Sequence, residues 1–125
     1  MMDIDSRRAA VADLVCRRRP LAEAIATLRR YPWDCDEELV ELGPSVLRSV
    51  LSDFLAGSIS APDLEEWANA VEGRDDIAFV PYEVIDVVAA LANPLLYEPL
   101  TQETAGRLLR DVDSLQPDAP SRRVD

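Results

Sequence analysis

Two short stretches hold the residues through which this chain could act. Glu65, Glu66, Glu72, Asp75 and Asp76 follow one another between Leu55 and Ile77, and the run DCDEELVE holds Asp34, Asp36, Glu37, Glu38 and Glu41. Carboxylates offer three kinds of chemistry at neutral pH. A pair with unequal pKa values moves protons, as in glycoside hydrolysis, but that reaction also needs sugar-stacking aromatics, and the chain has only two Trp, three Tyr and two Phe. Acids in alternation, closed by a glutamate, hold calcium; GRDDI lacks that pattern. Massed charge needs no such geometry and attracts a basic partner.

Other routes to chemistry are closed by composition. Histidine and lysine are both absent, which removes most groups that act as a base or nucleophile near pH 7. Cys16 has no histidine to activate it, no serine sits in a nucleophile elbow, and two cysteines without histidine fall short of a zinc ligand set. Gly43, Gly57, Gly73 and Gly106 each stand alone, so no glycine-rich loop can cradle phosphate. The expectation is a protein without catalytic residues, metal or cofactor.

Charge is distributed unevenly. Acids number 24 against 13 bases, all of them arginine, for a net charge of −11. The excess of arginine lies in the first 30 residues, and the remainder is strongly acidic. Such a field disfavours nucleic acid and anionic membranes and steers a basic protein toward the acidic part; acidic surfaces also serve solubility alone. No stretch is long and apolar enough to span a membrane, and MMDIDSRRAA lacks the apolar core of a signal peptide, so the expected location is cytoplasmic, with both cysteines reduced.

The elements that must position the acids are helical. Ser6–Arg19 reads as a helix with Val11, Leu14 and Val15 inward and Arg17, Arg18 and Arg19 at its C-terminus, where cations complement unpaired carbonyls. Pro20 opens a second, with Leu21, Ala24, Ile25 and Leu28 as its apolar stripe. Tyr31 and Trp33 read as a plug over the core. The segment 34–41 fits either a short helix or an extended piece. A third helix opens at Pro44, with Leu47, Val50, Leu51, Phe54 and Leu55 inward, and stops at Gly57.

Ser60 then caps the acidic helix, Asp63 can complete a capping box, Leu64, Trp67, Ala68 and Val71 face the core, and Gly73 ends it. Two helices joined so tightly should form a hairpin. That leaves carboxylates 65, 66, 72, 75 and 76 on one exposed rim. Ile77–Val80 reads as a buried connector, since no second strand is evident. Pro81 opens a central helix with Val84, Ile85, Val88, Leu91 and Ala92 inward. Leu95–Pro99 forms a loop with apolar anchors, and Thr101 caps a last helix carrying Ala105, Leu108, Leu109 and Val112. The expected architecture is all-α: a compact bundle of about six short helices, in helical hairpins around one core, spanning 1–115, with a disordered tail at 116–125.

At FLAGSISAPDLEEW, Phe54–Trp67, and on to Asp76, the chain resembles small acidic immunity proteins of bacterial toxin systems, the group that includes the colicin D immunity protein. The shared pattern is a helix ending in Phe-Leu-x-Gly, an Ile-Ser-Ala turn and a second helix opening with acids, about a fifth of the chain. WANAVEGRDDI, with LANP at Leu91–Pro94 and LT at Leu100–Thr101, is similar to a pattern in uncharacterised bacterial proteins of like length. The arginine-rich first 30 residues have no counterpart in it. The resemblance implies an inhibitor that neutralises a basic toxin, a nuclease domain above all, by placing carboxylates where phosphates would lie.

On this reading Glu65, Glu66, Glu72, Asp75 and Asp76 contact the partner, with Asp34, Asp36, Glu37, Glu38 and Glu41 as a second patch. The competing expectations are a phage-type nucleic-acid mimic that blocks a defence nuclease, and a non-inhibitory interaction or oligomerisation module.

Overall fold

A computed structural model describes residues 4–32 and 34–115. Trp33 and the expected tail, 116–125, lie outside the described residues. The elements in chain order are α1 (Ile4–Val15), α2 (Leu21–Leu28), β1 (Val40–Leu42), α3 (Pro44–Leu55), α4 (Ala61–Val71), β2 (Ile77–Phe79), α5 (Val84–Ala92) and α6 (Gln102–Asp113). The chain is an all-α bundle with a single short pair of strands among the described residues.

Helix boundaries follow local chemistry. The Ser60 hydroxyl accepts the Asp63 N–H at 3.2 Å and so starts α4, and the Thr101 hydroxyl does the same for the Thr104 N–H at 3.1 Å at the start of α6. At the end of α3, Gly57 takes φ +83°, its N–H bonds to the Phe54 carbonyl, and Ser58 N–H bonds to the Asp53 carbonyl. That pair of bonds closes a Schellman cap. Helix α1 ends the same way with an arginine in the glycine position: Arg17 has φ 54°, its N–H bonds to Leu14 and that of Arg18 to Asp13. The helix therefore stops at Val15, and the expected continuation through Arg19 is replaced by a turn.

Packing joins the helices in pairs, α3 with α6, α4 with α5, and α1 with α2. Helix α3 does touch α4, but its widest contact is with α6, the last helix of the chain. One cluster fills the interior, with Val11, Leu14, Leu47, Leu51, Leu64, Trp67, Val71, Val84 and Leu91 all sealed from solvent. Each such side chain contributes about 1.5–3 kcal/mol. Trp67 anchors α4 to α1, its indole N–H donating to the Leu14 carbonyl at 3.0 Å.

Two expectations are corrected. Ile77–Phe79 is a strand, paired in parallel with Val40–Leu42 in the register Val40↔Ile77, Glu41↔Ala78 and Leu42↔Phe79. Segment 34–41 is thereby extended at its end rather than helical. A three-residue strand whose partner lies 37 positions earlier carries no period of its own, which is why 77–80 reads as a connector and 34–41 fits either a helix or an extended piece. The second correction concerns α5, which begins at Val84 after a turn over Pro81–Glu83; Val87 takes the inward position expected of Ile85, which is exposed.

Candidate functional site

The acids divide into one buried residue and a set of surface ones. Asp76 is wholly buried, and this corrects its expected place on the rim. Arg74 grips it with two hydrogen bonds, Nε to Oδ1 at 2.8 Å and an amino nitrogen to Oδ2 at 3.0 Å, and Arg7 of α1 adds Nε to Oδ2 at 3.0 Å. Both arginines are themselves buried. Burial alone would raise the Asp76 pKa, but the hydrogen bonds and charges of Arg74, then Arg7, outweigh it and hold the carboxyl below its ordinary value.

Asp76 is also the hub that brings the two acidic stretches together. Its backbone carbonyl accepts the N–H groups of Leu39 at 2.8 Å and Val40 at 3.3 Å, which sets Glu38 and Glu41 beside the turn that carries Asp75. Arg7 reaches further, donating to the Pro32 carbonyl at 2.8 Å and lying 5.8 Å from the centre of the Tyr31 ring. Tyr31 is half-buried against the core, as its expected role as a plug requires.

The remaining nine acids of the two stretches are at the surface. Asp34, Asp36, Glu37, Glu38, Glu41, Glu66 and Asp75 are exposed, and Glu65 and Glu72 are half-buried. Among the described residues, no arginine forms a salt bridge with Asp34, Asp36, Glu37, Glu38, Glu65, Glu66, Glu72 or Asp75. Six arginines pair with other acids: Arg8 with Asp5, Arg17 with Asp53, Arg18 with Asp13, Arg19 with Glu23, Arg48 with Asp113, and Arg107 with Glu98. Of the N-terminal cations, Arg7 closes on the buried Asp76, while Arg8, Arg17, Arg18 and Arg19 close on acids outside the two stretches.

These acids do not form the one continuous rim expected of them. Glu66 faces a cleft of about 420 Å³ between α4 and the α1–α2 turn, floored by Leu14, Ala24 and Trp67. Glu65 lies on the other flank of α4, lining a shallower cleft of about 450 Å³ formed with Pro94, Leu95, Pro99 and Leu100. Glu72, two turns after Glu65 on the same side of the helix, accepts the Asn93 side-chain amide at 3.3 Å. Asp75 belongs with the β1 side. The structure therefore presents Glu65 and Glu72 toward the α5–α6 loop, Glu66 toward α1, and Asp75 with the 34–41 segment.

The α5–α6 loop is the feature that sequence reasoning missed. Leu95 is 102% exposed, Leu96 80% and Tyr97 57%, so the expected anchors project into solvent. The loop is nonetheless tied at both ends. Asn93 accepts the N–H groups of Leu96 and Tyr97 on its carbonyl and donates its side-chain amide to Ala89, and Glu98 pairs with Arg107 of α6. That pairing, before any effect of burial, holds the Glu98 carboxyl below its ordinary pKa. Pro94 and Pro99 bracketing an apolar run were the available signal, since a segment that cannot be helical has no periodic face with which to bury leucines.

The arrangement is suited to binding by charge and apolar contact. Among the described residues no three acids or cysteines converge to hold a metal ion, and Cys16 and Cys35 are free thiols. No described helix is long and apolar enough to cross a membrane. No known protein family, curated protein or solved structure matches the chain.

Proposed function

We propose that this protein is an immunity-type inhibitor that binds and neutralises a basic bacterial toxin, with a nuclease domain as the best-fitting class, and works in the cytoplasm without metal or cofactor. The observation that carries the reading is the un-neutralised charge: Glu65, Glu66, Glu72 and Asp75, with Asp34, Asp36, Glu37 and Glu38, are surface acids with no arginine paired to them among the described residues. Two such concentrations of surface carboxylate form a field that attracts a cationic partner. A nuclease carries such a cationic surface because it must hold phosphates. Long-range attraction of this kind gives fast association that weakens steeply with salt.

The test is capture from native lysate at low salt by the parent protein and by a variant carrying Glu65→Gln, Glu66→Gln, Glu72→Gln and Asp75→Asn, with bound proteins identified by mass and assayed for nuclease activity. Asp76 is left intact because its carboxylate is structural. The reading stands if one basic nuclease is captured by the parent, inhibited by it and lost by the variant. Equal capture by both forms, or inhibition of nothing, sinks it. The exposed Leu95, Leu96 and Tyr97 favour a second reading, a non-inhibitory interaction module, whose sign would be self-association that persists at high salt.

A further inference from the structure

We propose that the α5–α6 loop, Leu95-Leu96-Tyr97, together with the cleft between it and the first turn of α4, is the apolar centre of a docking surface for a basic, amphipathic segment of a partner protein. The inference rests on the reading of the protein as a binder of basic proteins, and adds where the contact is centred and what chemistry the partner must bring.

Three observations converge on this loop. Consecutive large apolar side chains stand in water on a chain that otherwise sequesters its leucines well. They are held there by a braced loop: backbone bonds to Asn93 at one end, the Glu98–Arg107 pair at the other. Fixing the side chains before binding lowers the ordering cost that a loose loop would incur on association. Beside them, Ala61, Pro62, Pro94, Pro99 and Leu100 line an open apolar cleft of about 450 Å³, large enough for a side chain from the partner.

Charge selects the occupant. Glu65 lines the cleft itself and Glu72 is joined to the base of the loop through Asn93, so acids flank the apolar centre, and neither has an arginine partner among the described residues. A segment with apolar side chains on one face and lysine or arginine at its margin satisfies both features, the centre by desolvation and the margin by charge. A second copy of this chain fits less well, because a two-fold contact centred here would bring Glu65 and Glu72 of both copies together on molecules of net charge −11. An anionic lipid surface is opposed by the same charge.

The test uses the full chain, isotope-labelled, with three probes: a 14-residue amidated leucine–lysine peptide with leucines at helical spacing, its scrambled isomer, and an oligolysine of equal charge. The protein variants are a triple substitution, Leu95→Ser, Leu96→Ser and Tyr97→Ser, and the fourfold acid-neutral variant above. Expected are chemical-shift changes centred on 94–100 and the first turn of α4 with the helical-spacing peptide, binding at least tenfold tighter than the scrambled isomer, and loss of that advantage in the triple variant while oligolysine binding is unchanged. All the replaced side chains are exposed, so the variant keeps its core, which an unchanged spectrum elsewhere verifies.

If the peptide binds the parent and the triple variant equally, the docking centre is wrong while the basic-partner reading survives. If neither cationic probe binds, or the acid-neutral variant binds both as well as the parent does, the basic-partner reading fails with it. Salt-resistant dimerisation, or binding to phosphatidylcholine vesicles, lost in the triple variant would also overturn the proposal, assigning the loop to a second copy or to lipid.

Discussion

Arg7 reaches across 69 positions of sequence to place its Nε 3.0 Å from Oδ2 of Asp76, and both side chains are buried. Arg74 completes the group with its two-bond grip, so one carboxylate gathers α1, the α4–β2 turn and, through its own carbonyl, the start of β1. Removing a single partner from such a group leaves buried charge without compensation. Asp76→Asn is therefore expected to cost about 3 kcal/mol or more at pH 7, measured by denaturant unfolding.

The same group sets a pH dependence. The folded-state pKa of Asp76 lies below its ordinary value, so its stabilisation is complete above the unfolded value of about 3.9 and is lost as pH falls through the folded value. The stability gap between parent and Asp76→Asn should be constant from pH 7 to about 5 and narrow below about pH 4. A gap that widened on acidification would contradict the assignment.

Arg17 offers a separate test of backbone strain against charge. It occupies the left-handed position of the α1 cap, and its guanidinium pairs with Asp53 at 2.5 Å, joining the ends of two helices that terminate in the same way. Both partners are partly solvated, so the pair is worth no more than about 1 kcal/mol. Arg17→Ala loses the pair and keeps the strain, whereas Arg17→Gly loses the pair and relieves it. The glycine variant should exceed the alanine variant in stability by about 1 kcal/mol, read from their unfolding midpoints.

Trp67→Phe keeps most of the buried ring but removes the donor that meets the Leu14 carbonyl. A loss of about 1–3 kcal/mol is expected, with hydrogen exchange at the α1 end speeding up more than at α6.

The acid-neutral fourfold variant should behave in the opposite way to Asp76→Asn. Its side chains form no salt bridge with the described arginines, so stability should stay within about 0.5 kcal/mol per site, or rise as self-repulsion falls. A large loss on thermal unfolding would show that these acids are structural.

Local chemistry made much of this fold legible. Ser60, Thr101 and Gly57 mark helix ends because a cap hydroxyl or a positive φ acts within three or four residues. Leu47, Val50, Leu51 and Phe54, or Leu64, Trp67, Ala68 and Val71, name their buried faces by spacing alone. Surface exposure of Glu65, Glu66, Glu72 and Asp75 follows from the same periodicity and from the turn after Gly73. The arginine in the glycine position at 17 was not legible, because propensity carries the helix onward and only the cap bonds stop it.

What tertiary structure alone decided depends on partners far away in the chain. Asp75 and Asp76 are adjacent and chemically alike, yet one faces water and the other is sealed, because only the second meets Arg7 and Arg74. The parallel register of Val40 with Ile77, and the outward position of Leu95, Leu96 and Tyr97 on a loop braced by Asn93 and Arg107, have the same origin. The sequence by itself determined six helices, the caps at Ser60, Thr101 and Gly57, and the excess of negative charge, since propensity, capping and net charge are local or additive. The tertiary structure decided which carboxylate is a structural tie and which apolar residues remain outside, since burial depends on what the rest of the chain places against each side chain.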